Sequence, residues 1–351
     1  MRGRERQNTN DRHLNPLMQR SFAVDTLLVI VITQRRLQHA LSVAEHAHFG
    51  RAAAALHISQ PALTRSIQAL EAELGVELFD RIRGRVVLTA YGEIVVRRGR
   101  ALLRDHEDLR HEILLLAGRE SGALNIALGP HPGAISGFAA VGRLSAMYPK
   151  ITVSAQMHTR WREVTQSVVE GKVHLAILDQ SRAQEDVRVQ TELVGEHAGR
   201  FFCRPGHPIL RRRSITLADL MNFPWVSSRL PPRVTALFPA ALGRAGQIDP
   251  LQGDFVPAIE IDSLTQFADV IAGTNALALV PLIIADLALA ERLISVVPVI
   301  GFEPKTRYAF AMSKDRPPSS LVNAYMQEVR AIEAQTMKRE KVLLREYPGR
   351  A

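Results

Sequence analysis

Residues 50–75, GRAAAALHISQPALTRSIQALEAELG, leave the chain few choices. The stretch reads as two short helices around a tight turn, with Ser59 opening the second. Ala52, Ala53 and Ala55 are small enough for two helices to cross closely, and Leu56 and Ile58 close the apolar side of the turn. Ser59 is a good N-cap, because its hydroxyl can accept from the free N–H groups of the first turn. Pro61 falls within that turn, where its missing N–H costs little. Along the second helix Leu63, Ile67 and Leu70 recur at three- and four-residue steps and are expected to face inward. Gln60, Thr64, Arg65 and Gln68 share the opposite face, a set of hydrogen-bonding groups suited to base edges and phosphates. An ordinary helical hairpin with a solvated outer face would use the same alanine-rich pair.

Residues 78–89 separate the two. Leu78-Phe79-Asp80-Arg81 leads into Ile82-Arg83-Gly84-Arg85 and then Val86-Val87-Leu88-Thr89, a short β-hairpin carrying Arg81, Arg83 and Arg85 at its tip. A helix for the major groove beside a cationic wing for the flanking backbone is one module that reads and grips duplex DNA.

From Leu37 to Gly92 the chain resembles the DNA-binding domain of LysR-type transcriptional regulators. The stretches LSVAEHAHFGRAAAALHISQPALTRSIQALEAELGVELFDR and LTAYGE carry the resemblance. It implies a cytoplasmic regulator in which Ser59, Gln60, Pro61, Thr64, Arg65 and Gln68 meet the major groove, while Arg51, Arg81, Arg83 and Arg85 hold phosphates. One departure is Gly50, where the family often has a Ser or Thr cap on the first helix of the motif. Its loss removes a phosphate-contacting hydroxyl and leaves Arg51 to compensate.

At 351 residues the chain can bury a sizeable core and has the length of two or three domains. A formal net charge of +9 fits a polyanionic partner, although the excess is spread along the chain. One cysteine, Cys203, excludes an intrachain disulfide framework and fits a reducing compartment. Cys203 with His207 suggests a nucleophile and its base, but nothing at suitable spacing completes a triad, so a buried structural thiol is expected. No metal-ligand spacing, catalytic set or glycine-rich phosphate loop is found, so no cofactor and no enzymatic activity is expected.

Residues 1–34 read as an N-terminal extension, polar and basic to Arg20 and then apolar over residues 22–33. The apolar part is shorter than the roughly 20 residues a membrane span needs, and no cleavage site follows it. A misassigned start would leave the same pattern. Residues 35–92 form the winged helix-turn-helix domain, whose first helix, residues 38–45, is expected to bury Leu41, Val43 and Ala44. Residues 93–121 follow as a linker helix and hinge. Val95, Leu102, Leu109 and Leu116 fall seven apart, with Gly99, His106 and Ile113 between them, the seam of a short coiled coil. A two-fold dimer built on that seam would present two recognition helices to a pseudo-palindromic site. The resemblance implies the same homodimer, its assembly to a homotetramer, and RNA polymerase as a further candidate partner.

Beyond residue 121 strands and helices alternate, which predicts a parallel sheet covered on both faces. Strands are expected at 124–128, 151–157, 175–178, 201–203, 225–226, 259–261, 277–280 and 308–312. A loop is expected at 129–133, and helices at 135–147, 162–170, 233–245, 264–272 and from Ser320 onward. The whole is an α/β multidomain chain: winged helix-turn-helix, long linker helix and a bilobal effector domain over residues 122–335. Lobe 1 takes about 122–199 and 300–335, lobe 2 about 200–299, and 336–351 is a tail. This bilobal half resembles the type 2 periplasmic-binding-protein fold, which serves as the family's effector domain. Ligands in such sheets bind beyond the strand carboxyl ends, near helix N-termini that favour anions. Four loops meet that description: Pro130, His131 and Ser136 in the first, then Thr159, Arg160 and Trp161, then Ser227, Ser228 and Arg229, then Asp262 and Ser263. They would line an interlobe cleft with hydroxyls, a cation and an aromatic wall. A solute-binding protein or a DNA-targeted enzyme on the same bilobal fold is the alternative.

Overall fold

The computed structural model describes residues 32–82, 85–116 and 122–348. The expected extension up to residue 31, Arg83 and Gly84 at the wing tip, residues 117–121 of the hinge and the last three residues lie outside the described residues. The chain divides into two compact units, residues 1–96 and 97–351.

In the first unit, α1 (Gln34–His46) starts four residues before the expected position, because the Thr33 hydroxyl caps it by accepting from the Arg36 N–H at 3.4 Å. Its inward face is set by Leu37, Ala40 and Val43; Leu41 and Ala44, expected inside, are only half-buried. The motif proper is α2 (Phe49–Ala55) and α3 (Gln60–Leu74). Ala52 and Ala53 are buried at the helix crossing, whereas Ala55 is exposed on the outer side of its turn. Leu63, Ile67 and Leu70 form the core with them, and Leu56 and Ile58 pack at its edge. Gly75 ends α3 in the left-handed region at φ +70°. The wing consists of β1 (Phe79–Ile82) and β2 (Arg85–Leu88), antiparallel from Phe79↔Leu88 to Ile82↔Arg85.

The long helix α4 (Ala90–Leu116) leaves the wing through Thr89, whose hydroxyl donates to the Glu77 carbonyl at 2.7 Å and accepts from the Gly92 N–H at 3.0 Å. This junction explains the glycine of LTAYGE. A β-carbon on Gly92 would lie 2.1 Å from the Leu78 carbonyl oxygen.

The second unit holds β3 (Gly122–Leu128), β4 (Ile151–Met157), β5 (Leu175–Asp179), β6 (Val189–Cys203), β7 (Trp225–Ser227), β8 (Gly246–Ile248), β9 (Phe255–Pro257), β10 (Ile259–Glu260), β11 (Leu277–Pro281), β12 (Ser295–Val297) and β13 (Lys305–Ser313). The main sheet runs β10-β7-β11-β6-β13-β5-β3-β4, with β12 also on β6. It is mixed rather than parallel. Pairs β3–β4, β3–β5, β7–β10 and β7–β11 are parallel, but β6 and β13 run antiparallel to each other and to their neighbours. These two strands pass through both lobes. Only the apolar end of β6, residues 201–203, was legible as a strand; its earlier part carries Glu192, Glu196 and Arg200 and lacks an apolar run.

Two further expectations are corrected. Residues 129–133 are not a loop: Pro130–Pro132 forms a helical turn that passes through a π-turn, Gly133–Gly137, into α5 (Phe138–Met147). The Tyr325 hydroxyl donates to the Gly137 carbonyl at 3.0 Å, satisfying a group that the irregular turn exposes. The helix expected at 233–245 stops after Pro232–Thr235, because Pro239 cannot continue it and Gly243 turns the chain at φ +52°. The chain then forms the β8–β9 hairpin. Lobe 1 is covered by α5, α6 (Trp161–Glu170) and α7 (Ser320–Glu346). Helix α7 occupies most of the expected tail: Leu343 is buried in the lobe 2 core, and Arg339 pairs with Asp286 at 2.7 Å.

Replacing an exposed helical glycine by alanine ordinarily stabilises by about 1 kcal/mol. Gly92→Ala should instead destabilise the N-terminal unit by about 1–3 kcal/mol, because overpacking against a carbonyl forces the wing and α4 apart. Amide hydrogen exchange over α1–α3 reads the sign, and slower exchange in the variant would contradict the steric account.

Candidate functional site

Helix α3 presents Gln60, Pro61, Arg65 and Gln68 exposed, with Thr64 half-buried among them. The Ser59 hydroxyl caps the helix by accepting from the Ala62 N–H at 3.4 Å, so its first duty is local. The cap of α2 is His48, missed in the sequence: its Nδ1 accepts from the Gly50 and Arg51 N–H groups at 3.0 and 3.3 Å. The hydroxyl absent at Gly50 is therefore not needed as a cap. A β-carbon there would stand 3.0 Å from the His48 ring. Arg51 is exposed, with one guanidinium nitrogen donating to the His46 carbonyl at 2.6 Å. Arg81 and Arg85 stand at the tip end of the two wing strands, and Arg83 lies outside the described residues.

On α4, Leu102, Leu109 and Ile113 are each more than half exposed, and His106 is exposed between them. Val95 is half-buried and packs against the N-terminal core, which restricts what it offers a partner helix. The side chain of Leu116 lies outside the described residues.

In the second unit a cavity of about 100 Å³ opens between the lobes. Pro130, His131, Thr159, Trp161, Ser228 and Arg229 line it, as expected. Five other expected residues do not. Ser136 is sealed in the π-turn, and Ser227 is buried with its hydroxyl donating to the Leu279 carbonyl at 2.9 Å. Arg160 points outward to Glu163 at 3.0 Å. Asp262 is exposed away from the cavity, and Ser263 makes no cap; its hydroxyl meets that of Thr265 at 3.4 Å.

The cavity gains residues that sequence reasoning missed: Asp179, Arg182, Arg233, Asp254 and Tyr308 among them. Asp179 ends β5, caps the next turn through Ser181 and Arg182, and pairs with Arg233 of lobe 2 at 2.6 Å. Arg182 pairs with Asp254 of lobe 2 and donates to the Gln252 carbonyl at 2.9 Å. Asp179 alone had a local signal, its place at a strand carboxyl end. Burial pushes the His131 imidazole down to about 4; Asp179 opposes the shift, while Arg233 and His197 add to it. The ring is neutral at neutral pH.

Tyr308 joins the cavity wall to a buried polar node. Its hydroxyl donates to Glu333 at 2.6 Å, and His197 bridges Glu333 and Glu340 at 2.9 Å each. Glu340 also accepts from the Ala198 N–H at 2.9 Å. Burial alone would lower the His197 pKa, but hydrogen bonds to Glu333 and Glu340 outweigh it and raise it to about 9. Cys203 is fully buried, which pushes its thiol up to about 12, and both His207 nitrogens are engaged, with Ile209 N–H and the Asn275 carbonyl. The pair is structural. Among the described residues no His, Cys, Asp or Glu cluster could hold a metal.

A winged helix-turn-helix followed by a bilobal α/β unit with an interlobe cavity defines a class of regulators in which one half reads DNA and the other a ligand. Residues 34–93 match the family model for the bacterial regulatory helix-turn-helix proteins of the lysR family, and residues 117–333 that for the LysR substrate binding domain. The SDS degradation transcriptional activation protein of a Pseudomonas species is 36% identical over 262 residues, 74% of this chain and 82% of that protein. Full-length LysG from Corynebacterium glutamicum with bound effector Arg superposes with a TM-score of 0.60 at 17% identity, over 87% of this chain and 99% of that one. Full-length CbnR complexed with its target DNA gives 0.51 at 22%, over 86% and 100%. At such identities the two solved structures speak to the fold. The chain belongs to the LysR family and is a DNA-binding transcriptional regulator that responds to an effector.

A histidine whose folded pKa is raised stabilises the fold fully below its unfolded value near 6.5, and that stability is lost as pH rises through about 9. Urea unfolding of the second unit, followed by the fluorescence of Trp161 and Trp225, should lose on the order of 1.4 kcal/mol per pH unit across that window. His197→Gln should flatten this dependence, and an unchanged slope in the variant would remove the histidine from the account.

Proposed function

We propose that the exposed face of α3 enters the major groove, with Gln60, Pro61, Thr64, Arg65 and Gln68 at base edges and Ser59 at the adjoining backbone. Arg51, Arg81, Arg83 and Arg85 hold flanking phosphates. The observation that carries this reading is the division of α3 itself: Leu63, Ile67 and Leu70 are buried, while Gln60, Arg65 and Gln68 stand free in solvent with no protein work assigned to them. The exposed leucines and isoleucine of α4 are the seam through which two chains pair, and paired heads then span a pseudo-palindromic promoter site. Dimers assemble further into tetramers, and RNA polymerase is the machinery whose access they alter.

The effector binds in the interlobe cavity and favours one arrangement of the lobes over another, which is all that a ligand needs to do to shift the population. The protein acts in the cytoplasm and catalyses nothing. A single cysteine, Cys203, buried as a free thiol, is in keeping with a reducing compartment.

A gel-shift against DNA upstream of its own gene or a neighbouring one tests the reading; no shift at low ionic strength would end it. Arg65→Ala should weaken specific binding by about 1–3 kcal/mol and relax preference at one base position. An unchanged operator titration would strike Arg65 from the contacts. Replacing Leu102 and Leu109 together by lysine should turn micromolar protein monomeric in sedimentation velocity. An intact dimer would mean that another surface pairs the chains.

A further inference from the structure

Among the described residues, every Asp, Arg and Lys side chain on the wall of the interlobe cavity already faces a protein group of opposite sign. Asp179 holds Arg233 at 2.6 Å, and Arg182 holds both Asp254 and Glu185. Arg229 lies between Asp249 at 3.1 Å and Glu260 at 2.9 Å. At the rim Lys305 and Arg307 share Glu196 at 2.7 and 3.2 Å. An anion brought to one of these guanidinium groups would sit beside the carboxylate already there, or displace it and leave it unpaired in partly buried surroundings. A cation meets the mirror problem.

At two of the helical turns that reach the cavity the backbone withholds the other usual handle for an anion. They open with prolines, Pro130 and Pro132 in lobe 1 and Pro231 and Pro232 in lobe 2, whereas α6 starts at the wall with Trp161. Proline has no N–H, so neither of the first two presents a full set of N-terminal donors. Of the polar side-chain atoms on the wall, the buried Ser228 hydroxyl, the Trp161 indole N–H and the Nε–H groups of Arg182 and Arg233 have no partner, and each can donate. The neutral His131 ring adds one donor and one acceptor. Leu178, Leu230, Val234, Leu279 and Val280 make much of the remaining wall.

Resting on the reading of this cavity as the effector site, we propose that the effector is a small uncharged molecule with an apolar body and an oxygen acceptor, such as an alcohol, ketone or ester. Ser228 and His131 read its oxygen. The cavity of about 100 Å³ is smaller than the apolar cavity of about 150 Å³ that accepts benzene, so it suits a short chain, or a ring held partly in the cavity mouth.

Three probes of one shape and different charge decide the matter: benzyl alcohol, benzoate and benzylammonium, titrated calorimetrically into the full-length chain at pH 7.5. The alcohol should bind saturably and at least about tenfold more tightly than either ion. His131→Phe and Ser228→Ala should each weaken it several-fold with unchanged circular dichroism. Asp179→Asn, which releases Arg233, should raise benzoate affinity by about tenfold. Preference of the unmodified protein for benzoate or benzylammonium, lost in the same variants, would overturn the uncharged effector and leave the cavity as the effector site. Alcohol binding indifferent to both substitutions, or no binding of any probe, would remove the cavity reading and the proposal together.

Discussion

The pairing of β6 with β13 is the interaction on which the second unit depends. Register runs from Lys305↔Ala198 to Ser313↔Val189, and each strand continues into both lobes. From β6 the sheet extends through β11 and β12 into lobe 2, and from β13 through β5 into lobe 1. Without this antiparallel core the parallel strands on either side would be separate sheets, and Asp179 at the end of β5 would never meet Arg233. The buried node of His197, Glu333 and Glu340 lies at the same place, tying β6 to α7 where the strands cross between lobes. A buried ionic node is a poor source of net stability but a strict judge of geometry, because a misplaced strand would leave its charges without partners.

How far the sequence discloses this depends on the range of the physics involved. The helix-turn-helix is written locally: a serine cap, a proline in the first turn, a three-four apolar step and a glycine to stop. Strands β3 and β5 are nearly as plain, since burial on both faces favours apolar runs, while β4, at the sheet edge with no fully buried residue, shows through its apolar–polar alternation. Strand β6 is obscured by its charges, whose partners lie more than a hundred residues away. Residues 233–245 mislead because an apolar pattern outvotes Pro239, although proline alone forbids the continuation.

The cavity divides in the same way. Loops at strand ends were found from topology, so Pro130, His131, Trp161 and Ser228 were legible. Which side chains turn inward was not. Arg160 and Arg229 look alike as cations, yet one reaches back to its own helix and the other is held by two acids. Arg233 and Asp254 acquire meaning only through lobe 1 partners, and no local pattern announces a partner across a cleft. The formal charge of +9 misleads similarly. Much of the arginine in the second unit is engaged in ion pairs inside the chain.

Helix α7 carries a mechanical consequence. Its first half, through Tyr325, Val329 and Ile332, is embedded in lobe 1, while Arg339 and Leu343 near its end belong to lobe 2. One unbroken rod of 27 residues is thus fastened at both ends. Wide, jaw-like separation of the lobes would have to snap the rod or uproot one anchor, whereas torsion around its long axis leaves both in place. Signals from a ligand in this molecule would travel as a twist rather than a yawn, and whatever is joined to the C-terminal unit would be turned instead of pushed.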